Sequence, residues 1–127
     1  MQTTRTKMSP TEKTASIRAA YDAFNKRDYA KLEERYADDI LWHFTGGDVR
    51  GRKNVIAYGK EQVERLGAKL EPHDVLVNDQ HAIALLSYTA KGKTYKLVHV
   101  SHIDDDGRLT EAWSFGDPDL AKLVQSK

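Results

Sequence analysis

The sequence predicts an α+β fold in which three N-terminal helices pack on one face of a curved antiparallel sheet. Three observations carry that expectation. Apolar residues recur at helical spacing through the first half of the chain. From Leu70 the period changes to alternation, and the alternating runs are separated by turn pairs at Asn78-Asp79, Lys91-Gly92 and Asp106-Gly107. Three helices and a strand therefore come first, and an uninterrupted antiparallel meander follows.

The first helix is announced by Ser9-Pro10-Thr11-Glu12: a serine cap, proline at the first helical position, and glutamate three residues after the cap. Ile17, Ala20, Tyr21 and Phe24 give it one inward stripe, and it is expected to end near Asn25. Asp28 is the cap of a second, shorter helix with Tyr29, Leu32 and Tyr36 inward. Asp38 and Asp39 are costly inside a strand, whereas Ile40, Leu41, Trp42 and Phe44 are good strand residues. A strand is thus expected from about Ile40 to Thr45, closed by a turn at Gly46-Gly47. Gly51 and Arg52 lead into a third helix, with Val55, Ile56, Tyr58, Gly59, Val63 and Leu66 inward, Lys60, Glu61, Glu64 and Arg65 in water, and Gly67 as its left-handed end.

In the meander, Val75 and Val77 precede the first turn, and Ala82 to Thr89 form a long apolar strand. Tyr95, Leu97, His99, Ser101 and Ile103 then share one strand face, with Lys96, Val98, Val100 and His102 on the other. In the last strand Leu109, Glu111, Trp113, Phe115 and Asp117 are expected on one face. Pro118 ends it, and residues 119–124 have the makings of a short helix.

With 127 residues the chain reads as one domain, spanning 9–127 behind a flexible tail at 1–8. Twenty basic and nineteen acidic residues leave a net charge of +1, which disfavours nucleic acid and anionic membrane as partners. No apolar stretch approaches the roughly 20 residues that span a bilayer, and Met1 to Lys7 lack the apolar core of a signal peptide. The chain has no cysteine, which excludes thiol chemistry and fits a reducing, cytoplasmic setting. Its five histidines, at 43, 73, 81, 99 and 102, show no paired ligand spacing, so no metal is expected.

Four stretches resemble the nuclear-transport-factor-2-like (NTF2-like) superfamily, and in particular its SnoaL-like branch. They are Tyr21-Asp22-Ala23-Phe24-Asn25-Lys26-Arg27-Asp28, the run from Tyr36 to His43, Val98-His99-Val100 ahead of Asp106-Gly107-Arg108-Leu109, and Glu111 to Asp117. The resemblance implies a cone-shaped fold, a homodimer, and a deep apolar pocket between the helices and the concave sheet face that works without a cofactor. Members include polyketide cyclases, ketosteroid isomerase, limonene epoxide hydrolase and pocket proteins of unknown role, so fold alone does not choose an activity.

Within that frame His99 is the first candidate. It resembles the position where the isomerases carry a protonated carboxyl that donates to a substrate oxyanion, and a histidine there could donate a hydrogen bond or shuttle a proton. Asp117 resembles an acid/base aspartate of the cyclases, but standing before Pro118 it reads better as the cap of the terminal segment. Alternation places Trp42 and Phe44 on one face and His43 on the other, and Trp42 and Phe44 are assigned to the pocket. Phe44 stands at about the isomerases' catalytic aspartate, and phenylalanine cannot abstract a proton. Tyr21, Tyr58 and Trp113 complete the expected ligand-binding set. The functional expectation is a small-molecule pocket protein doing isomerase- or cyclase-like acid-base chemistry on an apolar, carbonyl-bearing ligand. Its alternatives are a non-catalytic carrier or sensor, and a dimeric assembly module.

Overall fold

Two helices, a hairpin, a third helix, four further strands and a terminal helix build the protein. The structure, a computed structural model, describes residues 8–126. The expected loose tail from Met1 to Lys7 lies outside the described residues, and Met8 beside it donates its backbone N–H to the Asp105 carbonyl at 2.9 Å.

Helix α1 (Pro10–Asn25) begins where its cap predicts: Ser9 Oγ accepts from the Glu12 N–H at 3.1 Å, and the Glu12 carboxylate accepts from the Ser9 N–H at 3.0 Å. Helix α2 (Tyr29–Glu33) is capped by Asp28, whose carboxylate accepts from the Lys31 N–H at 3.2 Å. It is one turn shorter than expected. Tyr36 leaves the helix and opens strand β1 (Tyr36–Phe44), because so short a helix lacks the length to propagate and Tyr36 is a good strand former.

The strand also takes in Asp38 and Asp39, which the sequence reading had placed outside it. Their carboxylates stay in water, at a point where the register against the last strand slips between Tyr36 and Leu41, and Asp38 meets Arg52 at 2.8 Å. A second correction follows at Gly46-Gly47. The chain does not simply turn there; it folds back as β2 (Gly47–Arg50), a short exposed strand with too little apolar content to be announced by its sequence.

Helix α3 (Arg52–Leu66) ends on Gly67 at φ 64°, the left-handed conformation that glycine adopts without strain. Strands β3 (Lys69–Val77), β4 (His81–Ala90), β5 (Lys93–Ile103) and β6 (Leu109–Gly116) follow as the expected meander, and α4 (Pro118–Gln125) closes the chain. The six strands lie in the order β2-β1-β6-β5-β4-β3. Every pairing is antiparallel except β1 with β6, which is parallel and joins the two halves of the chain. Bulges at three of the pairings add twist and help the sheet curve.

The concave face carries the core, with Ile40 and Ala112 fully enclosed and α1 lying across β3. Asn25 fastens α1 there, accepting the Leu70 N–H at 2.8 Å. The opposite face is also apolar. Strand register puts Leu76, Ile83, Val100, Trp113 and His43 in one cross-strand row and Leu85, Val98 and Phe115 in the next. Among the described residues no helix is long and apolar enough to cross a membrane.

Candidate functional site

Helices α1, α3 and α4 and the concave sheet face enclose a cavity of about 90 Å³. Packed interiors hold few voids larger than one water, which needs roughly 10–15 Å³, so a hollow of this size is a feature of the architecture. A depression of about 260 Å³ beside Asp38 and Gly51 to Asn54 is larger by volume but lies open to solvent, and its Arg52 is taken up by Asp38. The enclosed cavity is the candidate site, because the aromatic side chains converge there.

One wall is a ring ladder. Trp42 stacks on Phe44 with planes 2° apart and centroids 5.1 Å apart, and Phe44 stacks on Tyr58 at 4.2 Å. Trp42 and Phe44 reach the cavity together because they stand two apart on β1, and Tyr58 meets them from α3. The Trp42 indole donates to Ser114 Oγ at 2.8 Å, which fixes its rotamer. Tyr36 and His99 approach the indole edge-on.

The floor is built by Tyr21 from α1 and His99 from β5. The Tyr21 hydroxyl and His99 Nδ1 are 2.9 Å apart, and their rings lie nearly parallel. Burial, with the residue only 6% exposed, pushes His99 down to about 3, so it is neutral at physiological pH. Burial also drives the Tyr21 phenol far above its ordinary value, with the nearby Tyr36 adding to the rise. The phenol therefore keeps its proton and can donate it to Nδ1, the arrangement assigned to this pair. A neutral imidazole that accepts at Nδ1 carries its hydrogen on Nε2. Among the described residues nothing accepts from that nitrogen.

The cavity is donor-rich and uncharged. Tyr36 lines it, burial keeps its phenol protonated, and no described side chain pairs with its hydroxyl. Ser114 accepts from Trp42 and has its own O–H to spare. None of the described lining residues is an aspartate, glutamate, lysine or arginine. Tyr36 and Ser114 were not singled out from the sequence. Tyr36 was read as helical, and Ser114 enters only through a bulge that alternation cannot foresee.

That bulge lies opposite His102 and Ile103 and shifts the phase of β6. Leu109, Ala112 and Ser114 turn inward, while Glu111 and Trp113 turn out. Trp113, expected in the pocket, instead stacks on His43 at 5.2 Å across the outer face. Glu111 accepts from His43 Nε2 at 2.7 Å, and Asp48 pairs with Nδ1 at 2.8 Å. Held between Glu111 first and Asp48 second, His43 is raised above the ordinary histidine value.

Asp117, expected to share acid and base roles with His99, is exposed and lies outside the cavity lining. Its carboxylate accepts the Lys96 N–H at 3.1 Å, and its carbonyl accepts from Leu120 and Ala121 at the head of α4. The phase shift in β6 and the following Pro118 carry it to the rim. Among the described residues no group of three or more histidine, aspartate or glutamate side chains could hold a metal ion.

The profile of a family described as SnoaL-like domain matches residues 17–112. Solved structures share the whole fold at low identity. One is the protein Bal32a from a soil-derived mobile gene cassette, 24% identical over 89% of this chain and 95% of that one, with a TM-score of 0.79. An LEH-like epoxide hydrolase of M. tuberculosis is 17% identical over 91% and 90%, with a TM-score of 0.75. A putative ketosteroid isomerase of Kribbella flavida is 19% identical over 85% and 79%, with a TM-score of 0.71. At these identities the likeness extends to the fold alone. No curated protein matches the sequence.

Proposed function

The chain belongs to the family of SnoaL-like domains, and on that premise we propose that its cavity binds a small apolar molecule through a carbonyl or similar oxygen, which accepts a hydrogen bond from His99 Nε2. The observation that carries this reading is the Tyr21–His99 pair: with Nδ1 engaged at 2.9 Å and the phenol read as its donor, Nε2 carries the proton and faces no described partner. Trp42, Phe44 and Tyr58 supply the apolar surface for the body of the ligand, and Tyr36 and Ser114 are further donors to its oxygen.

A neutral imidazole aimed at a carbonyl oxygen polarises it, which supports binding and electrophilic activation. Proton abstraction next to that carbonyl finds no support in the lining, because the described lining residues include no carboxylate and, with the phenol donating to Nδ1, His99 Nε2 is a donor. The geometry thus favours the carrier or sensor over the isomerase, despite the names borne by two of the structural neighbours. A cytoplasmic setting, suggested by the lack of cysteine, belongs to the same proposal.

We also read the outer sheet face as the contact of a homodimer. Among the described residues the four large apolar side chains that stand exposed, Leu76, Ile83, Leu85 and Phe115, all lie in its two cross-strand rows. On that face His43 is already paired with Glu111 and Asp48 within one chain.

The test of the binding reading compares cyclohexanone with methylenecyclohexane, which replaces C=O by C=CH₂ at nearly constant shape. Titrations followed by NMR should give the ketone an affinity higher by about five- to tenfold, the worth of one hydrogen bond of roughly 1 kcal/mol, and His99→Leu should abolish the difference. Equal binding of the two compounds to the unmodified protein refutes it.

A further inference from the structure

The cavity is roofed on one side by α4, and α4 is fastened unequally along its length. Leu120 is its one fully enclosed residue, and Leu120 and Val124 are its contribution to the cavity lining. At the head of the helix, Asp117 is tied to β5 twice: its N–H donates to the Lys96 carbonyl at 3.3 Å, and its carboxylate accepts the Lys96 N–H at 3.1 Å. The tail is held differently, by polar side chains at the solvent boundary. Arg65, expected in water from its place on α3, instead reaches the last turn of α4. There its guanidinium donates to the carbonyls of Val124 at 2.6 Å, Ser126 at 2.5 Å and Leu123 at 3.4 Å.

These are the carbonyls that a helix end leaves without partners, and a cation is favoured beside them. Glu61, one turn earlier on α3, pairs with the same guanidinium and orients it. The second tie is Gln125, which donates to the Thr45 carbonyl at 3.3 Å. Thr45 lines the cavity, and the neighbouring Gly46 lies against Gln125 and the Tyr58 hydroxyl. The cavity mouth therefore closes where the β1–β2 turn meets the free end of α4.

We propose that α4 is a lid on this cavity, pivoting at Asp117 and latched at its free end by Arg65, and that opening the latch admits and releases the ligand. The inference rests on the reading of the cavity as a ligand site and adds its route of access. The physical ground is the asymmetry just described. Hydrogen bonds shared with water contribute little each and break singly, whereas lifting Leu120 and the Asp117 anchor would uncover apolar core. Opening the tail moves Val124 out of the cavity lining without touching the Tyr21–His99 floor. Lids of this kind govern exchange rates more than equilibrium affinity.

The absence of cysteine offers a direct lock. A Cβ built on Gly46 lies 3.3 Å from Gln125 Cγ, and Gly46 is outside the left-handed region, so the double substitution Gly46→Cys, Gln125→Cys can close a disulfide across the mouth. Exchange of cyclohexanone is read from NMR line shapes in the oxidised and reduced protein and in Arg65→Ala. Oxidation should slow exchange by tenfold or more and reduction should restore it, by the mechanism of a blocked gate. Arg65→Ala should speed association and dissociation together by about tenfold, with Kd changed less than threefold, while amides of 120–125 lose hydrogen-exchange protection and those of α1 and β5 keep theirs. Equal exchange in the locked and unlocked forms overturns the lid and leaves the binding reading standing. Failure of cyclohexanone to bind any form overturns the binding reading and the lid with it.

Discussion

Acid should destabilise this protein through one residue. His99 titrates at about 3 in the fold because burial disfavours its charged form, against about 6.5 when exposed in the unfolded chain. Below about pH 6.5 the unfolded state therefore binds a proton that the native state refuses. The stability held by this group is fully present above 6.5 and is lost as the pH falls toward 3, at about 1.4 kcal/mol per unit. Between about pH 7.5 and pH 5 the loss comes to about 2 kcal/mol. That value hardly moves if the native pKa is a full unit higher, because pH 5 would still lie above it.

The assay is urea unfolding across this range for the unmodified protein and for His99→Gln, whose side chain can accept from Tyr21 but does not titrate. His43 works in the opposite sense, since Glu111 and Asp48 raise it, and its contribution fades as the pH rises through its native pKa. Present in both proteins, it cancels in the difference. A difference that stays flat from about pH 7.5 to 5 would show that His99 is charged or solvated in the native state, and the tautomer assignment would fall with it.

Other expectations follow from single contacts. Trp42→Phe removes the donor to the buried Ser114 hydroxyl and should cost about 1–3 kcal/mol in chemical denaturation, with Ser114→Ala in the Trp42→Phe background adding less than it does alone. Tyr21→Phe leaves His99 Nδ1 buried without a donor. A loss of about 1–3 kcal/mol and a move of the imidazole nitrogen NMR signals toward mixed tautomers are expected. On the outer face, Ile83→Lys should shift sedimentation toward the monomer and leave cyclohexanone affinity within about twofold, as burying an unpaired lysine in a homodimer is costly while the cavity lies on the other side of the sheet. The ring-proton NMR titration of His43 should have its midpoint above about 6.5, and Glu111→Gln should lower it.

Much of this molecule can be read from local chemistry. The caps at Ser9, Asp28 and Gly67 mark helix ends because each satisfies or relaxes the backbone within a few residues of itself. The alternation in β5 puts Tyr95, Leu97, His99, Ser101 and Ile103 inward because its pairing with β4 runs without a slip and the extra residue of the bulge lies in β6, so β5 keeps its phase. Trp42 and Phe44 obey the same rule. What sequence could not supply is any consequence of a slip in pairing. One residue of bulge in β6 turns Trp113 outward, brings in Ser114 and carries Asp117 to the rim, and nothing in Leu109 to Asp117 states where the slip will fall.

Contacts between distant segments were likewise out of reach. Arg65 and Glu61 read as an exposed helix pair until α4 returns to the end of α3. Tyr36 reads as helical until β6 pairs with it in parallel. So the sequence by itself determined most helices and the meander strands, the inner faces of β1 and β5, and the presence of bulky rings beside one imidazole, because these depend on spacing along the chain. Tertiary structure alone decided which rings enclose a void, which nitrogen of His99 is free and what holds the roof. Each of those is set by the register of strands far apart in sequence, and by the desolvation that only their packing creates.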